Sequence, residues 1–385
     1  MKIALVHKRL DLKGGTERDL FQTAEGLRDL GHEIHLFCSE YGVQPPRDVF
    51  AHQVPVIPLG RTLRLWSFAW FGQSAINQTD CDVVVGFGRL WRQDALRCGG
   101  GTHRGFLRQL GRDGGWRRRF WQNVSIYHRS LLVIEKRQYD PKGSRIIIAV
   151  SEQVKRDIIA NYSVPAEKIV VLYNGVDKDR FHPARRGEFR DKVRNRWKIP
   201  VDAPLVLFVG SGFRRKGLDR LLSIWKSPRL DKVFLLVVGT DSRIRHYQSR
   251  ADAIAPGRIV FAGRQEDIEN YYAAADGVAL PSLQEAFGNV VIEALASGLP
   301  VLVSRDAGSS EILHGPLAEG VFDASTEPET LERKLLWLLE KSKDLCCAQE
   351  ARKIAEEYTW ENHFRKLEAW LREGGRTLTS GATRS

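Results

Sequence analysis

GVALPSLQEAFGNVVIEALASGLPVLVS, residues 277–304, reads as strand, loop, helix and strand in one stretch. GVAL is a short apolar run that stops at Pro281 and Ser282; VVIEALAS is helical in pattern and ends at Gly298; LPVLVS is apolar again. Glycine just past a helix and proline at a strand end are the usual punctuation. A continuous apolar strand that returns through a helix to another such strand is the unit of a parallel sheet covered on both faces. Two acids interrupt it, Glu285 in the loop and Glu293 inside the apolar helix. Read as structure alone, Glu285 caps the helix and Glu293 pairs with a basic residue. Read as function, Glu285 accepts hydrogen bonds from sugar hydroxyls and Glu293 from a ribose diol.

The same alternation runs outward in both directions. KIALVH opens the chain as a strand, the loop LDLKGG follows, and Leu20, Phe21, Ala24, Leu27 and Leu30 lie on one helical face closed by Gly31. EIHLFC, DVVVGF (82–87), RIIIAV (145–150) and KIVVLY (168–173) are further strands. The pattern restarts with PLVLFVG, KVFLLVVG and RIVFAG before reaching GVAL and LPVLVS. Two α/β halves follow, each Rossmann-like: an N-terminal domain at 1–181, a polar, basic linker at 182–203 and a C-terminal domain at 204–355. Ligands of such sheets bind beyond the carboxyl ends of the strands. The loops at Gly14–Gly15, Gly86–Arg92, Ser211–Lys216, Gly263–Arg264 and Pro281–Asn289 all stand at such ends, and in two domains placed face to face they would line one cleft.

At 385 residues the chain is too long for one ordinary core. With 43% hydrophobic and 28% charged residues it is of the soluble globular class. VFLLVVG is far too short to span a membrane, and MKIALVHKRL lacks the long apolar region of a signal peptide. Five cysteines without a CxxC pair read as reduced, cytosolic packing residues. The net charge is +12, and it is uneven. From Arg97 to Arg145, ten Arg and two Lys face only Asp113, Glu135 and Asp140, with Phe106, Trp116, Phe120, Trp121 and Tyr127 interleaved. That composition suits an anionic partner, a membrane surface, a phosphorylated lipid or a nucleic acid, unless the segment is simply a solvated face.

GSGFRRKG (210–217) follows a strand and opens a helix. Its glycines let a ligand approach the backbone, and Arg214, Arg215 and Lys216 add charge, which makes a cradle for a diphosphate. It is not a P-loop, since no GxxxxGK[ST] is present. KGG at 13–15 is a second glycine-rich loop before a helix. Asp80-Cys81-Asp82 and Asp177-Lys178-Asp179 are DxD strings, the first at the amino end of a strand and the second in the interdomain turn, so neither is placed to hold a metal-bound diphosphate.

Taken together, Gly14-Gly15, NGVD (174–177), RKG (215–217), Glu285-x7-Glu293 followed by ASGLPV, and the late EEYTWENHFRKLEAWL (356–371) resemble glycosyltransferase family 4, nucleotide-sugar enzymes of the two-Rossmann GT-B fold. The resemblance covers nearly the whole chain. It implies that Arg215 and Lys216 hold the donor diphosphate and neutralise the leaving group, that Glu293 binds the ribose and Glu285 the transferred sugar, and that Phe287, Gly288, Asn289 and Val290 touch sugar and phosphates. It places the nucleobase against Gly263 and Arg264, and Gly15 beside the donor. It further implies a closing helix (356–373) that returns to the N-terminal domain, followed by a flexible tail (374–385), retention at the anomeric carbon, and no metal or other cofactor, because basic side chains can replace the cation.

Among family members the resemblance is nearest to bacterial lipopolysaccharide core glucosyltransferases. This implies transfer of a hexose, glucose from UDP-glucose, to a lipopolysaccharide core or other lipid-linked glycan by a cytoplasmic enzyme held peripherally at the inner membrane. Arg104, Arg108, Trp116, Arg117, Arg118 and Arg119 would then face acceptor and membrane. His103 matches the position of a cleft histidine in many family members, and Asp94 competes with it for a catalytic role. The rivals are a GT-B nucleotide-sugar epimerase and a protein without turnover that binds nucleic acid or anionic lipid. Intact Glu285, Glu293, Arg215 and Lys216 disfavour the latter.

Overall fold

The computed structural model describes residues 1–12, 14–108, 125–323 and 325–379. The chain forms two compact units, Met1–Tyr173 with the segment from Glu361 onward, and Asn174–Trp360.

The strands of the first unit are β1 (Lys2–Val6), β2 (Arg9–Leu10), β3 (Glu33–Cys38), β4 (Glu40–Tyr41), β5 (Val49–Gln53), β6 (Val83–Gly86), β7 (Gln93–Cys98), β8 (Ser144–Ala149) and β9 (Ile169–Val171). Seven of them make one parallel sheet in the order β5-β3-β1-β6-β7-β8-β9, while β2 and β4 pair beyond its carboxyl edge. Side chains alternate across β1. Ile3 and Leu5 pack with Leu20 and Leu27 of helix α1 (Gly15–Asp29), whereas Ala4 and Val6 pack with Phe68 and Ile76 of α2 (Gly60–Asn77). Helices α3 (Ile126–Tyr139) and α4 (Glu152–Tyr162) precede β8 and β9. The C-terminal helix, Trp360–Thr379, puts Leu367 and Leu371 into the core of this unit. His32 Nε2 meets Glu368 Oε1 at 2.9 Å. Gly26 of α1 makes room for that helix, since a Cβ there would lie 1.9 Å from the Phe364 ring. The helix continues through Thr379, into the stretch 374–385 expected as a tail, of which 380–385 lie outside the described residues.

Strand β7 was not legible as a strand because it carries Gln93, Asp94 and Arg97. Each polar group is answered inside the fold. Gln93 Nε2 donates to Ser144 Oγ at 2.8 Å, Val84 N donates to Asp94 Oδ2 at 2.9 Å, and Arg97 Nε lies 3.0 Å from Asp19 Oδ2. Asp94 is second in β7, toward the amino ends of the parallel strands, and its partners are Val84 N and Arg145.

The second unit starts in the middle of its sheet. Strands β10 (Leu205–Val209), β11 (Phe234–Val238), β12 (Ile259–Gly263), β13 (Gly277–Leu280), β14 (Val301–Ser304) and β15 (Val321–Phe322) are all parallel, in the order β12-β11-β10-β13-β14-β15. The chain winds outward through β11 and β12, then returns to the other side of β10, so the switch point falls between β10 and β13. Phe208, Phe213, Trp225 and Tyr247 fill the core on one face.

The stretch 182–203, expected as a linker, is part of this unit. It forms helix α5 (Arg186–Arg196), which packs on α8 (Ile268–Ala274), beyond α6 (Leu218–Ile224) and α7 (Ile244–Ile254) in the chain. Its basic face converges on a single acid. Arg186, Arg190 and Arg194, spaced to share one side of a helix, reach Asp276 at 2.7, 2.9 and 3.0 Å, and Leu205 N donates to the same carboxylate at 2.8 Å. Arg194 is fully buried and also donates to the carbonyls of Pro200, Val201, Ala203 and Ala274. Burial alone would raise the Asp276 pKa, but the arginines beside it, Arg194 foremost, hold it below the ordinary carboxylate range. Removing one member of such a buried group leaves uncompensated charge. Asp276→Asn is therefore expected to destabilise the protein by about 3–5 kcal/mol in urea denaturation, with α5 losing amide-exchange protection first.

Candidate functional site

In the second unit the carboxyl ends of β10 and β13 are brought into contact by backbone. Gly217 has φ +80, and a Cβ on it would stand 1.8 Å from the Pro281 carbonyl oxygen. Leu283 N donates to Arg215 O at 2.9 Å. Gly210, with φ +150, lets the Lys216 stem lie across the loop, since a Cβ there would be 3.0 Å from Lys216 Cε. Lys216 is buried, and its Nζ sits 2.6 Å from Glu285 Oε2. Arg215 reaches the same oxygen at 2.6 Å and the Gln284 carbonyl at 3.2 Å. Burial would push the Glu285 carboxyl up. The Lys216 and Arg215 cations outweigh that and keep it ionised, with a lowered pKa.

The loop that carries Glu285 is held by a short ladder: Glu285 N donates to Asp306 O, Gly308 N to Glu285 O, and Ser309 N to Phe287 O. Gly288, φ +98, then turns the chain into α9 (Asn289–Ala296). Glu293 lies on that helix, and the buried Tyr272 hydroxyl donates to its Oε2 at 2.6 Å. Asn289 Oδ1 accepts from Asn174 Nδ2 at 2.8 Å, which ties the NGVD stretch to the start of α9. Phe287 and Val290 are buried, Gly263 turns at φ +68 at the end of β12, and Arg264 is exposed. Arg215, Lys216, Glu285, Phe287 and Gly288 thus share one end of the sheet. Glu285 neither caps the helix nor stands alone: it is the counter-ion of both basic residues of the glycine loop.

The first unit holds a cavity of about 620 Å³ at the carboxyl ends of β1, β6 and β7. His7, Thr16, Glu17, Arg89 and His103 are among the residues that line it. His103 is fixed by its backbone. Its N–H donates to Glu135 Oε1 at 2.6 Å, and the Arg104 N–H donates to Oε2 at 3.1 Å. Glu135 is buried on α3 and receives Arg89 as well. The His103 ring meets His128 across 3.1 Å between Nε2 and Nδ1. Gly15 opens α1 next to Thr16 and Glu17 without lining the cavity itself. Arg104 stacks on the Tyr162 ring at 4.9 Å and is held against α4, and Arg108 is exposed. Trp116, Arg117, Arg118 and Arg119 lie outside the described residues. Of the DxD strings, Asp82 accepts from Lys2 N at the amino end of the sheet, and Asp177 Oδ1 caps the turn that contains Asp179 and Arg180. Among the described residues no group of three or more His, Cys, Asp and Glu side chains is arranged to hold a metal, and no helix is long and apolar enough to cross a membrane.

These two sites sit on sequences with known relatives. Residues 13–180 match Glycosyltransferase Family 4, and residues 189–359 match Glycosyl transferases group 1. A probable transglycosylase of Burkholderia thailandensis is 30% identical over 334 residues, 84% of this chain and 82% of that protein. The chain belongs to the family 4 glycosyltransferases. The lipopolysaccharide glucosyltransferase WaaG of Escherichia coli K12 is 27% identical over 304 residues, covering 77% of this chain and 78% of WaaG. A crystal structure of WaaG superposes with a TM-score of 0.78 at 23% identity, over 96% of this chain and 99% of that one. Anabaena HepE, solved with UDP-glucose, gives 0.71 at 18% identity, over 97% and 100%. The fold is accordingly GT-B, with two Rossmann-like domains.

Several residues of this glycosyltransferase that line its first-unit cavity were not legible in the sequence, His7 and Glu17 above all. A signal was available in their position, at the end of the first strand and in the first turn of the helix after the glycine pair. His103 is pushed down to about 4 by burial first and by the Arg89 cation second, and His363 of the C-terminal helix is pushed down to about 4 chiefly by burial. A folded-state pKa below the ordinary 6.5 means that the unfolded chain binds protons the folded chain refuses. Stability contributed by these groups is therefore intact above that value and is lost as pH falls through the window toward about 4. Urea denaturation between pH 7 and pH 5 is expected to show stability falling with acidification, and His103→Gln to flatten that slope.

Proposed function

We propose that this glycosyltransferase moves glucose from UDP-glucose to a core sugar of lipopolysaccharide or another lipid-linked glycan, with retention at the anomeric carbon and without a metal ion. The observation that carries this reading is the sharing of one Glu285 oxygen by Lys216 and Arg215, both at 2.6 Å, at the switch point of a doubly wound sheet. Without donor, the two cations are neutralised by Glu285. An incoming diphosphate offers them a stronger, multiply charged partner, and Glu285 is released to accept hydroxyls of the transferred sugar. As the bond to the diphosphate breaks, the charge that builds on the leaving oxygen meets cations already in place, so little reorganisation is needed. In the same reading Glu293, oriented by Tyr272, takes the ribose, the backbone from Phe287 to Val290 touches sugar and phosphate, and the base lies against Gly263 and Arg264. Likeness to WaaG supports glucose and the lipopolysaccharide acceptor, and likeness to HepE supports UDP.

The acceptor's lipid would be met at the inner face of the cytoplasmic membrane. The basic segment between Arg97 and Arg145 supplies the attraction to anionic lipid, and the exposed Phe106 and Ile126 at its described flanks offer apolar contact.

Lys216→Ala is expected to lower kcat/KM about a hundredfold, as for loss of one preorganised charge-stabilising donor, while EDTA leaves wild-type turnover unchanged. Inactivation by EDTA that Mn²⁺ reverses would contradict the basic clamp, and NMR of the product anomer tests retention. The two glutamates separate in a UDP titration. Glu293→Gln is expected to weaken free UDP, whereas Glu285→Gln, which removes the carboxylate competing for Lys216 and Arg215, leaves UDP affinity unchanged or raised and lowers transfer. Equal losses of UDP affinity would refute their assignment to different ends of the donor.

A further inference from the structure

His7 stands at the carboxyl end of β1 and is 6% exposed, yet it lines the first-unit cavity. Its ring is fixed from behind. Nδ1 lies 3.0 Å from the Phe87 carbonyl oxygen, which can only accept, so Nδ1 carries the proton. Gly88 permits this packing, since a Cβ there would be 3.1 Å from Nδ1. Nε2 is buried, and among the described residues it has no hydrogen-bond partner. The nearest acid is Glu17, whose Oε1 is 3.7 Å away, too far for a hydrogen bond between them. Glu17 folds back over Gly14, where a Cβ would lie 2.0 Å from its Oε2 and displace that carboxylate.

With its proton on Nδ1, the His7 ring presents the Nε2 lone pair beside the Glu17 carboxylate. Two acceptors 3.7 Å apart repel and leave a buried polar atom unsatisfied unless donors come to them. Neighbouring hydroxyls on a sugar ring are such donors, one for Nε2 and one for Glu17 Oε1. We propose that His7 and Glu17 form the socket that recognises a vicinal diol of the acceptor sugar, with His7 Nε2 accepting a hydrogen bond from one of its hydroxyls. This rests on the glycosyltransferase reading and names acceptor-binding residues of the first unit beyond the Arg104, Arg108, Trp116, Arg117, Arg118 and Arg119 that the resemblance implied.

The test uses the full-length protein, UDP-glucose and lipid-free core oligosaccharide released from lipopolysaccharide by mild acid. His7→Leu is expected to raise the acceptor KM about ten- to a hundredfold, the effect of leaving a buried hydrogen bond unmade, with UDP affinity unchanged. His7→Gln, which restores one acceptor oxygen, recovers part of the loss. An acceptor KM within about twofold of wild type in His7→Leu overturns the proposal, as does a matching loss of UDP affinity. Should His7→Leu fail to fold, wild-type protein with ¹⁵N-labelled histidine decides. The His7 Nε2 resonance shifts on titration with the oligosaccharide if the proposal holds, and an unmoved resonance at saturating oligosaccharide overturns it. Wild-type protein that binds no UDP and transfers nothing would refute the glycosyltransferase assignment itself, a result distinct from turnover that is indifferent to His7.

Discussion

The second unit turns on a contact that only glycine permits. Where the chain leaves β10 and where it leaves β13, two loops meet so closely that the Gly217 Cα faces the Pro281 carbonyl with no space for a side chain. Neighbouring parallel strands whose connections depart in opposite directions open a crevice at their carboxyl ends. Here the crevice is closed by backbone at its base and by charge at its mouth. With Gly217 seated there, Lys216 and Arg215 project toward the loop after β13 and meet Glu285. The ion triad is thus a consequence of sheet order, and its residues lie far apart in the chain because the chain visits β11 and β12 before it returns to β10's other side.

Buried polar groups do much of the remaining organising, and several are answered from other elements of the fold. Asp276 collects three arginines of α5 and the first amide of β10. Glu135 collects the amides of His103 and Arg104, and Arg89. Asp19 takes Arg97 across from α1 to β7. Such groups contribute little net stability compared with apolar side chains of the same volume, but they are costly to disrupt singly. They also fix orientation. Glu135 holds the backbone of the His103 loop at the rim of the cavity, and Tyr272 holds the carboxylate of Glu293.

The two halves differ in how their sites are made. The site residues of the second unit are clustered in two short stretches, 210–217 and 285–293, each a loop plus the start of a helix, so their spacing is visible along the chain. The first-unit cavity draws on the ends of β1, β6 and β7 and on α1, α2 and α3. His7 and Glu17 bracket a glycine loop, but His7 owes its fixed tautomer to Phe87, eighty positions away. Local spacing carries no trace of that contact.

The sequence by itself determined the alternation of strand and helix, the parallel sheets, the presence of two α/β halves and the residues of the glycine loop and the paired glutamates. These follow from apolar runs, glycine punctuation and short motifs, whose physics is local. Tertiary structure decided which polar segments are buried. The basic stretch at 182–203 reads as a linker because its arginines look solvated, yet three of them are satisfied by Asp276, eighty or more residues later. QDALRC does not stand out as a strand because its polar groups find their partners only in the fold, on Ser144, Val84 and Asp19. A charged side chain shows its type in the sequence but not its partner. The partner is chosen by the fold, through contacts between strands and helices far apart in the chain, and it is the partner that determines whether that charge is a solvated surface group, a buried strut or part of a binding site.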